Sequence, residues 1–374
     1  MYKLLIGVFF SLLLVPSVSS LINPNFKNLV VAKLGVKTEV SYTDDQVKER
    51  IRRSNPVWTK VLPLYGGVMY KLGESPNPQA VQIGKNGWAF LGNQHVNSYD
   101  QCFGRNVMNP EQTQAWLTEF NKIDSYLKGK KISFTFVVAP SSCTIYSENL
   151  PAWALDYKKN HVTNLEKLLL QKSDSMLDLR PTLIAHKDQG SVYSKLNSHW
   201  TDFGAYVAWQ DIAAKLGRDK PTFKPYGLGD AARVEEYDGN NEYFNMANIK
   251  AKNNWARAIL KTPYPLTERL DPSGNWMKMD QGQLTGLLDL PRITRTLESP
   301  NNMTALVLRD SMGDGLSAFI QASFKNVIQT HHYASNNGLN KFGLMGLVEE
   351  HRPDVVIFVV TERYLALPLQ TDLP

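Results

Sequence analysis

TALVLRDSMGDG, residues 304–315, carries most of the information about the fold. Its first half is an unbroken apolar, β-branched run. Its second half turns abruptly polar at Arg309-Asp310-Ser311 and then opens a segment with a glycine-rich first turn. A continuous apolar run predicts a strand buried on both faces, as in a parallel sheet covered by helices. ISFTFVVAP (132–140) and PDVVIFVVTER (353–363) repeat the pattern, and MLDLRPTL and FKNVIQTH hold shorter candidates. Between these strands lie helical segments. A helix capped by Asn109, with Pro110 in its first turn, buries Trp116, Phe120, Ile123 and Leu127 and ends at Gly129. Others run over 162–171, from Thr201 to Gly217, and from Met312 onward. Strands alternating with helices predict an α/β fold with a mainly parallel central sheet and helices on both faces.

The remainder is less regular. VQIGKNGWAFLG (81–92) predicts a hairpin turning at Asn86-Gly87. Residues 218–300 read as an irregular, polar stretch. Residues 21–80 are broken at Pro56, Pro63 and Gly66-Gly67 and read as a lead-in packed on the main domain, which then spans 81–374. Residues 1–20 combine an early Lys, an apolar run from Leu4 to Val15, and small residues around Val18 and Ser20. That pattern predicts a signal peptide, with a short uncleaved anchor as the alternative, because the run is shorter than the roughly 20 residues that span a bilayer.

The chain has 374 residues, 43% hydrophobic and 20% charged, ample for a buried core, and a formal net charge of +6. The charge favours acidic partners, but its dispersal, together with export, argues against nucleic acid. The one basic cluster, Lys48 to Arg53, reads as a solvated helix face. Two cysteines, Cys102 and Cys143, in an exported chain suggest a disulfide. No metal constellation is present, since His331-His332 lacks a third ligand nearby.

In open α/β sheets, chemistry gathers beyond the carboxyl ends of the strands. Ser311 falls where a strand ends and a helix begins, and the amides of residues 311–313 are candidates for holding an oxyanion. A capping role for Ser311 or Asp310 is the simpler alternative. A serine hydroxyl needs a base within reach, and His199, in LNSHWTD (196–202), is the best-placed of the seven histidines. It too is read at a strand-to-helix passage.

At these residues the chain resembles the alginate O-acetyltransferase family of the AlgJ and AlgX type, which has an SGNH-hydrolase-like, three-layer fold. The likeness covers roughly 80–365 and includes GKNGWAFLG, PSSCTIYSENLP, HWTDFGAY, the RDS turn and PDVVIFVVTER, in that order. By matching position, the resemblance implies Ser311 as nucleophile, His199 as base and Asn197 as orienter. Two departures stand out: Ser141-Ser142 follows the strand-end proline where a Lys is expected, and Asn197 replaces an Asp. An Asn accepts a hydrogen bond from the imidazole but supplies no charge, and a flipped amide would select the wrong tautomer. Asp202 and Asp310 are the alternative orienters.

The reading is therefore an exported O-acetyltransferase or acetylesterase acting on exopolysaccharide hydroxyls through an acyl-serine. The rival is a non-catalytic polysaccharide-binding or assembly subunit with a degenerate triad. Trp88, Trp200 and Tyr146 are candidate sugar platforms, with packing in the core as the leading alternative for each, and Arg309 is a candidate contact for an acidic polymer. The implied partners are an acidic polysaccharide and an acetyl donor, with a membrane acyltransferase as a source of the latter. No cofactor is expected, and a monomer within a cell-envelope complex, periplasmic or secreted, fits the resemblance.

Overall fold

The computed structural model describes residues 58–280, 290–333 and 343–373. The expected signal segment, most of the lead-in and the Lys48–Arg53 cluster lie outside the described residues. The described residues form two compact units: one joins 58–77 to Tyr243–Ala251, and the other holds the rest. In the first, a helix spans Trp58–Lys71.

The second unit is an α/β fold around an eight-stranded sheet. A separate hairpin pairs β1 (Val81–Ile83) with β2 (Ala89–Leu91). Asn86 (φ 55°) and Gly87 (φ 74°) both take positive φ at its tip, the backbone that a tight turn between right-twisted strands demands. The large sheet contains β3 (Ser133–Ala139), β4 (Met176–Asp178) and, later in the chain, six further strands, while two more stand apart. These are β5 (Ala231–Asp238) and β6 (Asn254–Leu260), which form their own antiparallel pair. The others are β7 (Thr267–Leu270), β8 (Trp276–Lys278), β9 (Arg292–Thr296), β10 (Thr304–Arg309) and β11 (Asn326–His331), closed by β12 (Val355–Thr361). The order across the sheet is β4-β3-β12-β10-β11-β9-β7-β8. The first five are parallel and the last three antiparallel.

The apolar runs alternate between two cores, one on each face of the sheet. Val137, Val307 and Ile357 point into one, where they meet helices α2 (Asp202–Asp219) and α3 (Asp314–Ser323). Phe136, Leu306 and Phe358 point into the other, against α1 (Pro110–Gly129) and α4 (Leu344–His351). This is a three-layer arrangement, and it explains why the central strands show no polar face. The start of α1 carries a reciprocal cap: the Asn109 side chain accepts from the Gln112 amide, and Gln112 accepts from the Asn109 amide.

Two expectations need correction. Among the described residues, the 218–300 stretch is not irregular. It holds β5 to β9, where charged residues pair across strands: Arg257 on β6 reaches Glu235 on β5, and Arg295 on β9 reaches Glu268 on β7. Such strands lack the apolar alternation that would reveal them. The segment before His199 is not a strand either. Apart from a single bridge between Tyr193 and Trp200, its backbone groups go to other partners: the Lys195 carbonyl accepts from Ala89, and the Leu196 amide donates to the Asn253 side chain.

Cys102 and Cys143 form a disulfide, with Cα atoms 5.8 Å apart and a sequence separation of 41. A loop of that size restricts the unfolded chain by about 4 kcal/mol. Replacing both cysteines with serine is expected to lower unfolding stability by roughly 3–4 kcal/mol. Urea denaturation without reductant checks it; an unchanged midpoint would mean the bridge adds no constraint.

Candidate active site

β10 ends at Arg309, and the chain turns through a 3-10 step (Ser311–Gly313) into α3. The turn is held from below. Asp310 accepts from the amides of Met312 (2.9 Å) and Thr361 (2.7 Å) and from His332 Nε2 at 3.3 Å. Burial pushes the Asp310 carboxyl pKa up, but His332, Arg363 and the Thr361 amide outweigh it and hold it well below the usual carboxylate range. Arg309 is 1% exposed. Its guanidinium donates to Gln329 Oε1 (2.7 Å), the Asp310 carbonyl (3.0 Å) and Asp314 Oδ1 (2.6 Å). A Cβ on Gly313 would sit 2.3 Å from Arg309 Cδ, so only glycine lets the turn close over that side chain. The expectation that Arg309 meets an acidic polymer is corrected: it is an internal strut.

Ser311 projects from this turn, and its Oγ lies 2.9 Å from His199 Nε2, across 112 residues of sequence. Both side chains are partly exposed. His199 sits in the loop just before α2, whose first turn is capped by Thr201 accepting from the Gly204 amide at 3.0 Å.

The other imidazole nitrogen, Nδ1, lies 3.0 Å from Asn197 Oδ1. The amide orientation is over-determined. Oδ1 also accepts from the His199 backbone N–H (2.9 Å), while Nδ2 donates to the Asn240 carbonyl (3.2 Å). A flip would set N–H against N–H and carbonyl against carbonyl. Asn197 therefore accepts, Nδ1 carries the proton, and the lone pair of Nε2 faces the Ser311 hydroxyl.

Asp202 and Asp310, the alternative orienters, have no hydrogen bond or ion pair to His199 among the described residues. Asp310 is committed as described, and Asp202 accepts from the Tyr237 hydroxyl at 3.3 Å. A carboxylate the sequence did not single out stands there instead. Glu242 Oε2 is 3.6 Å from His199 Nδ1 and accepts from both the amide (2.8 Å) and the hydroxyl (2.7 Å) of Ser198. Burial works to raise its pKa, but the His199 contact and the two Ser198 bonds prevail and bring it down to about 2. Glu242 opens the short helix Glu242–Ala247. No motif in NNEYF marks it from sequence.

The expected oxyanion donors are also revised. The Met312 amide is taken by the Asp310 side chain and the Gly313 amide by the Asp310 carbonyl at 3.1 Å. Only the Ser311 amide, of the three, has no intramolecular acceptor among the described residues. The aromatic candidates lie inside the protein. Trp88 is 5% exposed and stacks on Tyr146 at 4.1 Å between centroids. Lys187 lies 4.2 Å from the Tyr146 ring centroid. The Trp200 indole is buried against Gly315. With their faces packed on protein, these three do not present platforms to a sugar.

Among the described residues no group of three or more His, Cys, Asp or Glu is arranged to hold a metal ion, and no helix is long and apolar enough to cross a membrane.

Residues 81–258 match the family model of the SGNH hydrolase-like domain of acetyltransferase AlgX. The matched span contains Asn197, His199 and Glu242, while Ser311 lies beyond it. Among solved structures, PatB1 of Bacillus cereus superposes with a TM-score of 0.56 at 16% identity, over 76% of this chain and 97% of that one. A DHHW family protein from Eubacterium siraeum gives 0.52 at 16% identity, over 78% and 92%. A comparison with curated proteins finds no match.

Proposed function

We propose that this chain, whose residues 81–258 match the SGNH hydrolase-like model of acetyltransferase AlgX, transfers an acyl group to polysaccharide hydroxyls outside the cytoplasm, with Ser311 as the acyl carrier. The observation that supports the reading is the 2.9 Å contact between Ser311 Oγ and His199 Nε2, with Nδ1 held as a donor by Asn197. In the first half-reaction, Ser311 Oγ attacks the donor carbonyl as its proton passes to Nε2. The Ser311 amide, without an intramolecular acceptor among the described residues, is the proposed donor to the developing oxyanion. The tetrahedral adduct collapses, the leaving group takes the proton from Nε2, and an acyl-Ser311 ester remains. In the second, a sugar hydroxyl gives its proton to Nε2 as its oxygen attacks the ester, and the same proton returns to Ser311. Water in place of the sugar makes the reaction an esterase.

An acidic polymer needs a basic contact other than Arg309. Arg363, partly exposed after β12, acts electrostatically on both Asp310 and His95 and is the proposed replacement.

The test is to incubate the protein with a chromogenic acetyl ester, quench, and map the modified peptide by mass spectrometry. An acetyl group on Ser311, discharged faster when an oligosaccharide is added, is the expected result. Acetylation only at other residues, or at none, would overturn the proposal.

A further inference from the structure

We propose that the work of one orienting aspartate is divided here between two residues: Asn197 sets the tautomer of His199, and Glu242 supplies the negative charge that offsets the imidazolium. The inference rests on the acyl-serine reading above and adds to it a positioning residue brought from elsewhere in the chain.

In a triad with an Asp orienter, one carboxylate does two jobs. It accepts from Nδ1–H, so that Nε2 is free to act as base, and its charge stabilises the ring once it gains the serine proton. Asn197 does the first through a locked amide but is neutral and does nothing for the second. Glu242 is placed for the second. Its Oε2 stands 3.6 Å from Nδ1, beyond hydrogen-bond reach but close for two opposite charges. It does not compete with Asn197 for the Nδ1 proton. Instead, the same oxygen is pinned by the amide and hydroxyl of Ser198, the residue between Asn197 and His199. The carboxylate is thus rigid relative to the ring it faces.

Both halves of the arrangement come from one turn. The Asn240 carbonyl fixes the Asn197 amide, and two residues later Glu242 delivers the charge. Asn253, 1% exposed, ties this turn to the histidine loop. Its Nδ2 donates to the Asn240 carbonyl (2.7 Å) and to Ser194 Oγ (3.0 Å), while its Oδ1 accepts from the Leu196 amide (2.9 Å). The β5–β6 pair, remote from the main sheet's order, therefore has a task at the site. Among the described residues, His95 also feels Glu242, and Arg363 acts on His95. Burial opposes it, but the facing His199 ring and the two bonds from Ser198 lower the Glu242 pKa and favour its ionised form.

No proton moves to Glu242 in this scheme. The serine proton goes to Nε2, Nδ1–H stays bonded to Asn197, and the paired charges exist only while the imidazolium does. Removing the charge should slow turnover without weakening substrate binding, and the vacancy should be filled by a carboxylate at position 197.

The experiment is steady-state acetyl-ester turnover against pH for wild type, Glu242→Gln, Asn197→Asp and the double variant. Glu242→Gln is expected to lower kcat about 10- to 100-fold with KM within about twofold. The acid limb of its pH profile should move to lower pH, because the protonated ring loses its counter-charge. Asn197→Asp in the Glu242→Gln background should recover at least about tenfold. An unchanged kcat and pH profile in Glu242→Gln would overturn the proposal. So would a loss that Asn197→Asp fails to rescue, which would leave Glu242 as a mere prop for Ser198. Should Glu242→Gln not fold, Glu242→Asp draws the charge back from the ring and must shift the acid limb in the same direction. Wild type that neither turns over ester nor acetylates Ser311 would sink the acyl-serine reading itself, an outcome visible before any Glu242 variant is made.

Discussion

Ser311→Ala and His199→Ala are each expected to lower kcat/KM for acetyl-ester turnover by on the order of 10⁴-fold, and the double variant by no more than either alone. The reasoning is chemical. At neutral pH a serine hydroxyl is a negligible nucleophile until its proton has somewhere to go. In the proposed mechanism Ser311 Oγ and His199 Nε2, 2.9 Å apart, act as one unit: a lone serine has no base and a lone imidazole has nothing to deprotonate. Two residues that contributed independently, by binding substrate for instance, would show losses that multiply. Stability is expected to change little in either variant, because both side chains are partly exposed and neither fills the cores. Measuring kcat/KM and the urea midpoint for all three variants separates the cases. Multiplicative losses, or a His199→Ala variant with near-normal turnover, would remove the pair from the mechanism.

The parts of the fold that were legible in the sequence are those where local chemistry and burial agree. β10 and β12 are buried on both faces, so Ala305–Leu308 and Val355–Val360 are all apolar and read as continuous runs. Asn86-Gly87 and Asn109-Pro110 show because a positive-φ turn and a helix cap each require few residue types. The strands β5 to β9 did not show: their exposed faces carry charges matched across strands, and pairing of that kind leaves no local period. The meeting of Ser311 with His199 is a property of topology. It was anticipated from each residue lying near a strand's carboxyl end and from the family pattern, since spacing alone says nothing about two groups 112 positions apart.

The errors at the site have one physical source. An arginine at a strand end and three aromatics near a catalytic motif are chemically suited to a ligand, but the protein uses those same capacities internally. Arg309 spends its Nε and Nη1 donors on Gln329, Asp310 and Asp314, and Trp88 spends its face on Tyr146. Glu242 is the converse case. A glutamate in a polar stretch looks like solvated surface, and only the closure of the β5–β6 connection onto the histidine loop gives it a role. Residue type states what a group can do, and the fold decides with whom.

The second large effect is expected in stability, at the carboxylate beneath Ser311. Asp310→Asn should destabilise the protein by about 3 kcal/mol at pH 7, by breaking a largely buried charged network. Asp310 accepts from two backbone amides, Met312 and Thr361, on different oxygens, and from His332 on the second. An asparagine keeps one acceptor, and its NH₂ then faces a backbone N–H that has lost its partner and is screened from water. The pH dependence follows from the direction of the shift. The folded Asp310 pKa is depressed, so its stabilisation is fully present above the unfolded carboxylate value of about 3.9 and fades as pH falls through the lower folded value. The gap between wild type and variant should therefore be widest above about pH 5 and narrow toward pH 2. Asp156→Asn is the matched control, because that side chain is 78% exposed and its pairing with Lys159 is a surface contact. It should cost under about 0.5 kcal/mol at any pH. Urea unfolding at a series of pH values decides the matter. A gap independent of pH, or one no larger than that of Asp156→Asn, would mean that the charge on Asp310 is not what holds the turn beneath Ser311.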